Sequence, residues 1–184
     1  MIKNNNAILI GCDDVTFGDR VEISGWKGQQ LTLIIGKGVR IENDVRIIAG
    51  GTVTLSDEVT LHNHVAILGP GDCYIGPRTW VAQHTLLDAT GDLEIGADCC
   101  IEYNCLIWSH VSRVPKIPEH SFYTIKKTII KDKVWLMGGL ITINPGVTLG
   151  EGCIIFANSV VTKDTLPYKV YGGIPIKLVE KYDK

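Results

Sequence analysis

Apolar residues return at every sixth position through the middle of the chain, and the sixes themselves recur every twenty. Ile35, Leu55, Ile75 and Ile95 form one set, Ile41, Leu61, Val81 and Ile101 the next, and Ile47, Ile67, Leu87 and Ile107 the third. A self-similar period of this length marks a solenoid, in which each unit buries its apolar side only when the next stacks on it. Polar turn segments such as Gly36-Lys37-Gly38, Ser56-Asp57-Glu58 and Gly76-Pro77-Arg78 separate the apolar positions, so the pattern predicts short parallel strands stacked coil on coil. Gly51, Gly71 and Gly91 keep the same beat and are expected at the corner that absorbs the two residues beyond three sixes, in the positive-φ region that glycine enters without steric cost.

The places where the beat fails divide a single domain, 1–184. Phe17 and Ile23 lie 18 residues before Ile35 and Ile41, which predicts a worn capping coil over 1–34 before the regular coils of 35–107. After Ile107 the period is lost, and Pro115, Pro118 and Lys126-Lys127 predict an excursion loop over 108–128. The pattern resumes over 129–163 through Ile130, Met137, Ile143, Leu149, Ile155 and Val161; the one step of seven predicts a bulge around Val134-Trp135-Leu136. In the tail, 164–184, Pro175 suits the first position of a short closing helix.

Composition narrows the function classes. A net charge of −2 and a pI near 6.2 lack the basic surplus of a nucleic-acid binder. The N-terminal segment has only a four-residue apolar run before Gly11, so neither a signal peptide nor a membrane insertion is expected, and a cytoplasmic location is the default. Six cysteines without a CxxC pair do not suggest a disulfide framework. Cys99, Cys105 and Cys153 instead occupy a slot four residues after an apolar position, filled elsewhere by Val39, Val45, Val59, Val65, Thr79, Thr85, Val147 and Ser159, and are expected to be buried as small hydrophobes.

The segment KVWLMGGLITINPGVTLGEGCIIFANSVVTKDTLPYKVYGGIPIKLVEKY resembles the C-terminal part of the hexapeptide-repeat acyltransferases, the group of the galactoside, maltose and capsular-polysaccharide O-acetyltransferases. INPGVTLGEG, SVVTKD and GGIPIKLV are its most specific pieces. The resemblance implies an all-β, left-handed parallel β-helix assembled as a homotrimer, with acetyl-CoA as co-substrate in a groove between subunits and a histidine at the loop as general base. His110 occupies that place, and a histidine suits the task because its ordinary pKa lies close to working pH. By the same resemblance the Gly139 amide meets the oxyanion, Gly138 leaves room for the thioester, and Trp135 walls the acyl site. Asn104 and Ser109, near His110, fall to the saccharide acceptor. Ala157 and Ser159 match part of the coenzyme-binding run, although Phe156 and Asn158 stand where glycines are usual; Lys163 and Lys177 are placed for phosphates, with Ile174 and Pro175 beside the adenine.

The expected activity is acetyl-CoA-dependent O-acetylation of a saccharide, with no resident metal. Three alternatives stay open: N-acetylation of a nucleotide-linked amino sugar, a metal protein of the gamma-carbonic-anhydrase kind, and a scaffold without activity. His64 and His84 share the 20-residue column of Asp44 and Asn104, but the column guarantees only two histidines, short of a converging zinc set, and His120 lies in the excursion loop.

Overall fold

The computed structural model describes residues 3–11, 13–112 and 123–179. The chain winds as a β-solenoid with three sheets of eight, seven and nine strands, parallel throughout except for one antiparallel edge strand in the third. The first face runs through Glu22–Gly25, Arg46–Ala49, Ala66–Gly69, Leu86–Asp88 and Leu106–Ile107; the second through Leu31–Ile35, Thr52–Leu55, Cys73–Ile75, Leu93–Ile95 and Thr128–Ile130; the third through Val39–Ile41, Thr60–Leu61, Trp80–Val81, Cys100–Ile101 and Trp135–Met137. The predicted columns stack in register: Ile47 on Ile67 on Leu87 on Ile107, Leu55 on Ile75 on Ile95 on Ile130, and Leu61 on Val81 on Ile101. All of these side chains are fully buried, each burial contributing about 1.5–3 kcal/mol. The small-residue slot is buried as well, Cys99, Cys105 and Cys153 included. Burial pushes the thiols up, to about 11 for Cys99 and about 12 for Cys105.

Four local expectations are corrected. Phe17 and Ile23 stack on Ile41 and Ile47, 24 residues on and not 18 before Ile35 and Ile41. Leu136, not Met137, is the inward residue: it pairs with Ile101 and Ile155 and is fully buried, whereas Met137 is exposed. The extra residue therefore falls after it. Ile101 to Cys105 is four steps, but the equivalent Leu136 to Ile141 is five, and the surplus sits at Gly138-Gly139, both at positive φ. Gly51, Gly71 and Gly91 do not take positive φ. They are glycines because successive coils nearly touch there: a Cβ on Gly71 would stand 2.5 Å from the Ala89 carbonyl oxygen, and one on Gly91 2.5 Å from that of Ser109.

The closing helix is absent over its described residues. Lys177–Leu178 turns back antiparallel onto Val170–Gly172, and Ile176 is buried. An open strand edge and an open core end are both covered by this return, and a helix would have left the edge bare; residues 180–184 lie outside the described residues. Pro115, Pro118 and His120 of the excursion loop also lie outside them, but its two stems form an antiparallel ribbon, His110–Ser112 with Tyr123–Ile125.

Candidate active site

Asp88 ends the first-face strand of the third regular coil, in the column of Ser24, Ile48 and Leu68. Its carboxylate is almost wholly covered, because the chain that leaves the next coil folds over it. Oδ2 accepts from the amides of Ser109 (2.7 Å) and His110 (2.9 Å), and Oδ1 from the Thr90 amide (3.1 Å) and hydroxyl (2.6 Å). His110 Nδ1 lies 2.7 Å from the same Oδ2. A carboxylate only accepts, so Nδ1 carries the proton and Nε2 is left with the lone pair. Burial, the largest single influence, would raise the Asp88 carboxyl, but the hydrogen bonds from Thr90, Ser109 and His110 together outweigh it and hold the group below the usual carboxylate range. The result is a fixed anion behind a histidine whose side chain is 31 % exposed.

The pair lies in a cleft of about 440 Å³ lined by Leu68, Pro70, Leu86, Thr90, Trp108, His110, Tyr123 and Ile125, and, from the first coil, Trp26 and Lys27. Trp108 meets the His110 ring edge to face at 6.0 Å, and Tyr123 lies 6.2 Å from it. Ser109 is fully buried, its hydroxyl donating to the Asp88 carbonyl oxygen (2.7 Å) and accepting from the Gly91 amide (2.8 Å). It thus ties the base to the coil below. An aromatic-walled cleft with one buried acid–imidazole pair can bind a polyhydroxylated ring by its apolar faces and take a proton from one of its hydroxyls.

The fold places these residues among known proteins. The polySia-specific acetyltransferase NeuO superposes over 97% of this chain and 85% of its own with a TM-score of 0.76 at 23% identity. A point mutant of AntD, an N-acyltransferase from Bacillus cereus in complex with dTDP and coenzyme A, superposes over 79% of this chain and 82% of its own with a TM-score of 0.71 at 23% identity. The fold is that of the hexapeptide-repeat acyltransferases. Stretches of closer sequence likeness occur in acetyltransferases: 48% identity over 54 residues with a probable macrolide acetyltransferase of Lysinibacillus sphaericus, covering 29% of each chain, and 36% over 73 residues with a chloramphenicol acetyltransferase of Agrobacterium fabrum, covering 37% of this chain and 34% of that one. The chain thus spans about a third of the length of the curated relatives it matches. No protein-family model matches it.

The other residues expected from the hexapeptide-repeat likeness fall elsewhere on the solenoid. Gly138 and Gly139 turn the corner between the third and first faces, one coil beyond His110, where a Cβ on Gly138 would meet that of Ala157 at 2.9 Å. Trp135 is half exposed on the third face. Ser159 is buried, its hydroxyl donating to the Phe156 carbonyl oxygen (2.6 Å) and accepting from the Gly173 amide (3.0 Å). Lys163, Ile174, Pro175 and Lys177 are exposed on the tail. Within one chain, then, His110 leaves the first face at one end and Gly139 enters it at the other.

Asn104 belongs to a corner column with Asp44, His64 and His84, all at positive φ and each donating its amide to the coil before. His64 and His84 stack in parallel, 4.6 Å apart with planes at 6°. Imidazole lone pairs lie in the ring plane, so two parallel rings do not direct them at one point. Among the described residues no group of three or more His, Cys, Asp or Glu is placed to hold a metal ion, and no helix is long and apolar enough to cross a membrane.

Asp88, Trp26, Lys27 and Tyr123 were not singled out by the sequence. Asp88 had a signal: it follows Leu87 as Ile48 follows Ile47, Leu68 follows Ile67 and Trp108 follows Ile107, the one acid in an apolar column, 22 residues before His110.

Proposed function

We propose that this chain is an acetyl-CoA-dependent O-acetyltransferase whose acceptor is a saccharide, acting in the cytoplasm, where acetyl-CoA is made. The observation that carries the reading is the buried Asp88 carboxylate 2.7 Å from His110 Nδ1 in a cleft walled by Trp108 and Tyr123. In this reading His110 Nε2 takes the proton of the acceptor hydroxyl as its oxygen attacks the thioester carbonyl. Asp88 stabilises the imidazolium that forms. The tetrahedral oxyanion is met by the Gly139 amide; its collapse forms the ester and expels the CoA thiolate, which recovers the proton from His110. Because His110 and Gly139 flank opposite ends of one face, the two serve one thioester most simply when copies associate side by side. A homotrimer would set His110 of one subunit against Gly139 of the partner subunit, with Trp135, Gly138, Ala157 and Ser159 along the coenzyme and Lys163, Ile174, Pro175 and Lys177 at its nucleotide end. Asn104, in the corner column one coil before Gly139, would face the acceptor. Transfer to the nitrogen of a nucleotide-linked amino sugar would use the same base.

The test is release of CoA thiol from acetyl-CoA with a panel of free, nucleotide-linked and polymeric sugars, alongside light scattering for the assembly. Hydroxyl acetylation that falls by about 10²–10⁴-fold in His110→Ala, with CoA affinity retained, is the expected result. Sustained turnover by His110→Ala would remove that residue from its role, and product acetylated on nitrogen would replace the acceptor assigned.

A further inference from the structure

The first coil carries an insertion that the three coils after it lack. Gly25 pairs with Ala49 and Thr32 with Thr52. Seven steps therefore stand where the next coil uses three (32−25 against 52−49), an insertion of four residues. It forms the tight turn Trp26–Gly28 at the corner between the first and second faces. The turn is built and not slack: the Asn6 side-chain amide donates to the carbonyl oxygens of Gly28 (3.1 Å) and Gln29 (2.7 Å), and the Gln29 amide to that of Trp26 (2.9 Å). Lys27 is held at φ 46°, a left-handed conformation that costs a non-glycine residue about 1 kcal/mol. Other corner residues, such as Asp44 and His64, take the same region; what this turn adds is to set Trp26 and Lys27 against the cleft that contains His110.

The same corner produces the ribbon of His110 and Tyr123 four coils later. Gly25, Ala49, Gly69, Ala89 and Ser109 are successive positions of one column, so the two projections are separated by four strand spacings, about 19 Å along the stack. Between them the corners are tight, and Pro70 and Thr90 contribute to the cleft floor. That backbone separation is several times the width of one pyranose ring, so an acceptor that follows the stack from one projection to the other is longer than one sugar. The charges among the residues lining the cleft are Asp88, already engaged with His110, and Lys27, whose Nζ stands 5.4 Å from the Trp26 ring centre.

We infer that the acceptor is an extended, acidic oligosaccharide laid along the stack, with the reacting hydroxyl at His110 and a sugar several units away stacked on Trp26 with its carboxylate or other anionic group at Lys27. This rests on the transferase reading above. Trp26 is a specificity-determining residue in this account, distant from the chemistry. Aromatic faces hold sugar rings by their C–H surfaces, and an exposed ammonium beside such a face selects an anionic ring over a neutral one.

The experiment is a chain-length series of an acidic glycan, from monomer to hexamer, and a neutral series of equal lengths, assayed by CoA release with the full chain. In the wild type kcat/KM is expected to climb with length until the acceptor spans the cleft. In Trp26→Ala the ratio of kcat/KM for long over short acceptors should fall roughly tenfold, the scale of one stacking contact, carried by KM, while Trp26→Phe restores it. Lys27→Gln should lower the preference for acidic over neutral hexamer. A wild-type rate independent of length, or an equal loss on short and long acceptors in Trp26→Ala, overturns the inference while leaving the transferase reading standing. Transfer to no acceptor of any length overturns both. A change in the mass of the assembly in Trp26→Ala would assign this face to a second copy of the chain instead.

Discussion

Replacing Asp88 by asparagine removes a charge while nearly keeping a shape, and the local geometry says what should follow. Oδ2 faces three nitrogen donors, the amides of Ser109 and His110 and the His110 ring, within 2.9 Å. The asparagine oxygen must take that side, and its NH2 then points at the Thr90 amide, leaving a half-buried donor without its acceptor. With the loss of charge-assisted bonds, that costs about 2–3 kcal/mol of stability. The tautomer of His110 survives, since Nδ1 still finds an acceptor. What is lost, on the transferase reading proposed above, is the anion that stabilises the imidazolium in the transition state. Opposite charges about 4 Å apart at an effective dielectric of 20 interact by about 4 kcal/mol. Solvent reaches the His110 side chain, 31 % exposed, so about 2.7 kcal/mol is a fair discounted figure, a hundredfold in kcat.

The assay pairs CoA thiol release with denaturant unfolding across pH. The folded Asp88 carboxyl is held below its unfolded value near 3.8. Its contribution to stability is therefore full above about pH 5 and is lost as pH falls through that range toward the folded value. Wild type and Asp88→Asn should accordingly differ most near neutrality and converge in acid. A variant whose kcat stays within about threefold of wild type, at a pH where it is fully folded, would refute the claim that the carboxylate supports the base.

Two further outcomes follow from the geometry. Gly139→Ala should lower both stability and turnover, since the residue sits at φ 72° and its Cβ would strike the Tyr103 carbonyl oxygen and ring; unfolding midpoints and CoA release measured on one preparation check this, and full activity would dissociate Gly139 from the oxyanion. Cys73, Cys99 and Cys105, buried and with thiols raised to about 11–12, should resist a thiol-specific dye at pH 8 in the folded protein and react on unfolding. Rapid labelling of any of the three, mapped by mass spectrometry, would contradict the packing of that slot.

The inward columns were legible because a period of twenty leaves little freedom: one slip would move every apolar residue of a coil off the core. Where two apolar residues adjoin, the pattern loses that power. Leu136 and Met137 both fit the beat, and only pairing with Ile101 and Ile155 selects the first. The glycines at 51, 71 and 91 were correctly seen as a corner but for the wrong cause, since crowding between coils is a property of the stack and not of the local chain. At the tail, Pro175 satisfied a helix rule, yet the uncovered strand Val170–Gly172 and the open core drew the chain back as a strand. His110 was legible by its place at the end of the beat. Its partner was not, because the worth of a carboxylate at 88 depends on a backbone that arrives two residues after the next coil has closed.

The glycine-pinned corners have one more consequence. Both projections that bound the cleft, at 26–28 and from 110 onward, leave from the same edge, and the three corners between them, at 50–51, 70–71 and 90–91, are too tight to carry a side chain at their second position. The length of the cleft is therefore a whole number of coils. Each coil excised or duplicated in that interval would shorten or lengthen it by about 4.8 Å, with the acid and its histidine left as they are. The reach of the cleft in such a molecule is set by counting, and it can change through repeat number alone, without any change to the buried pair at the far end.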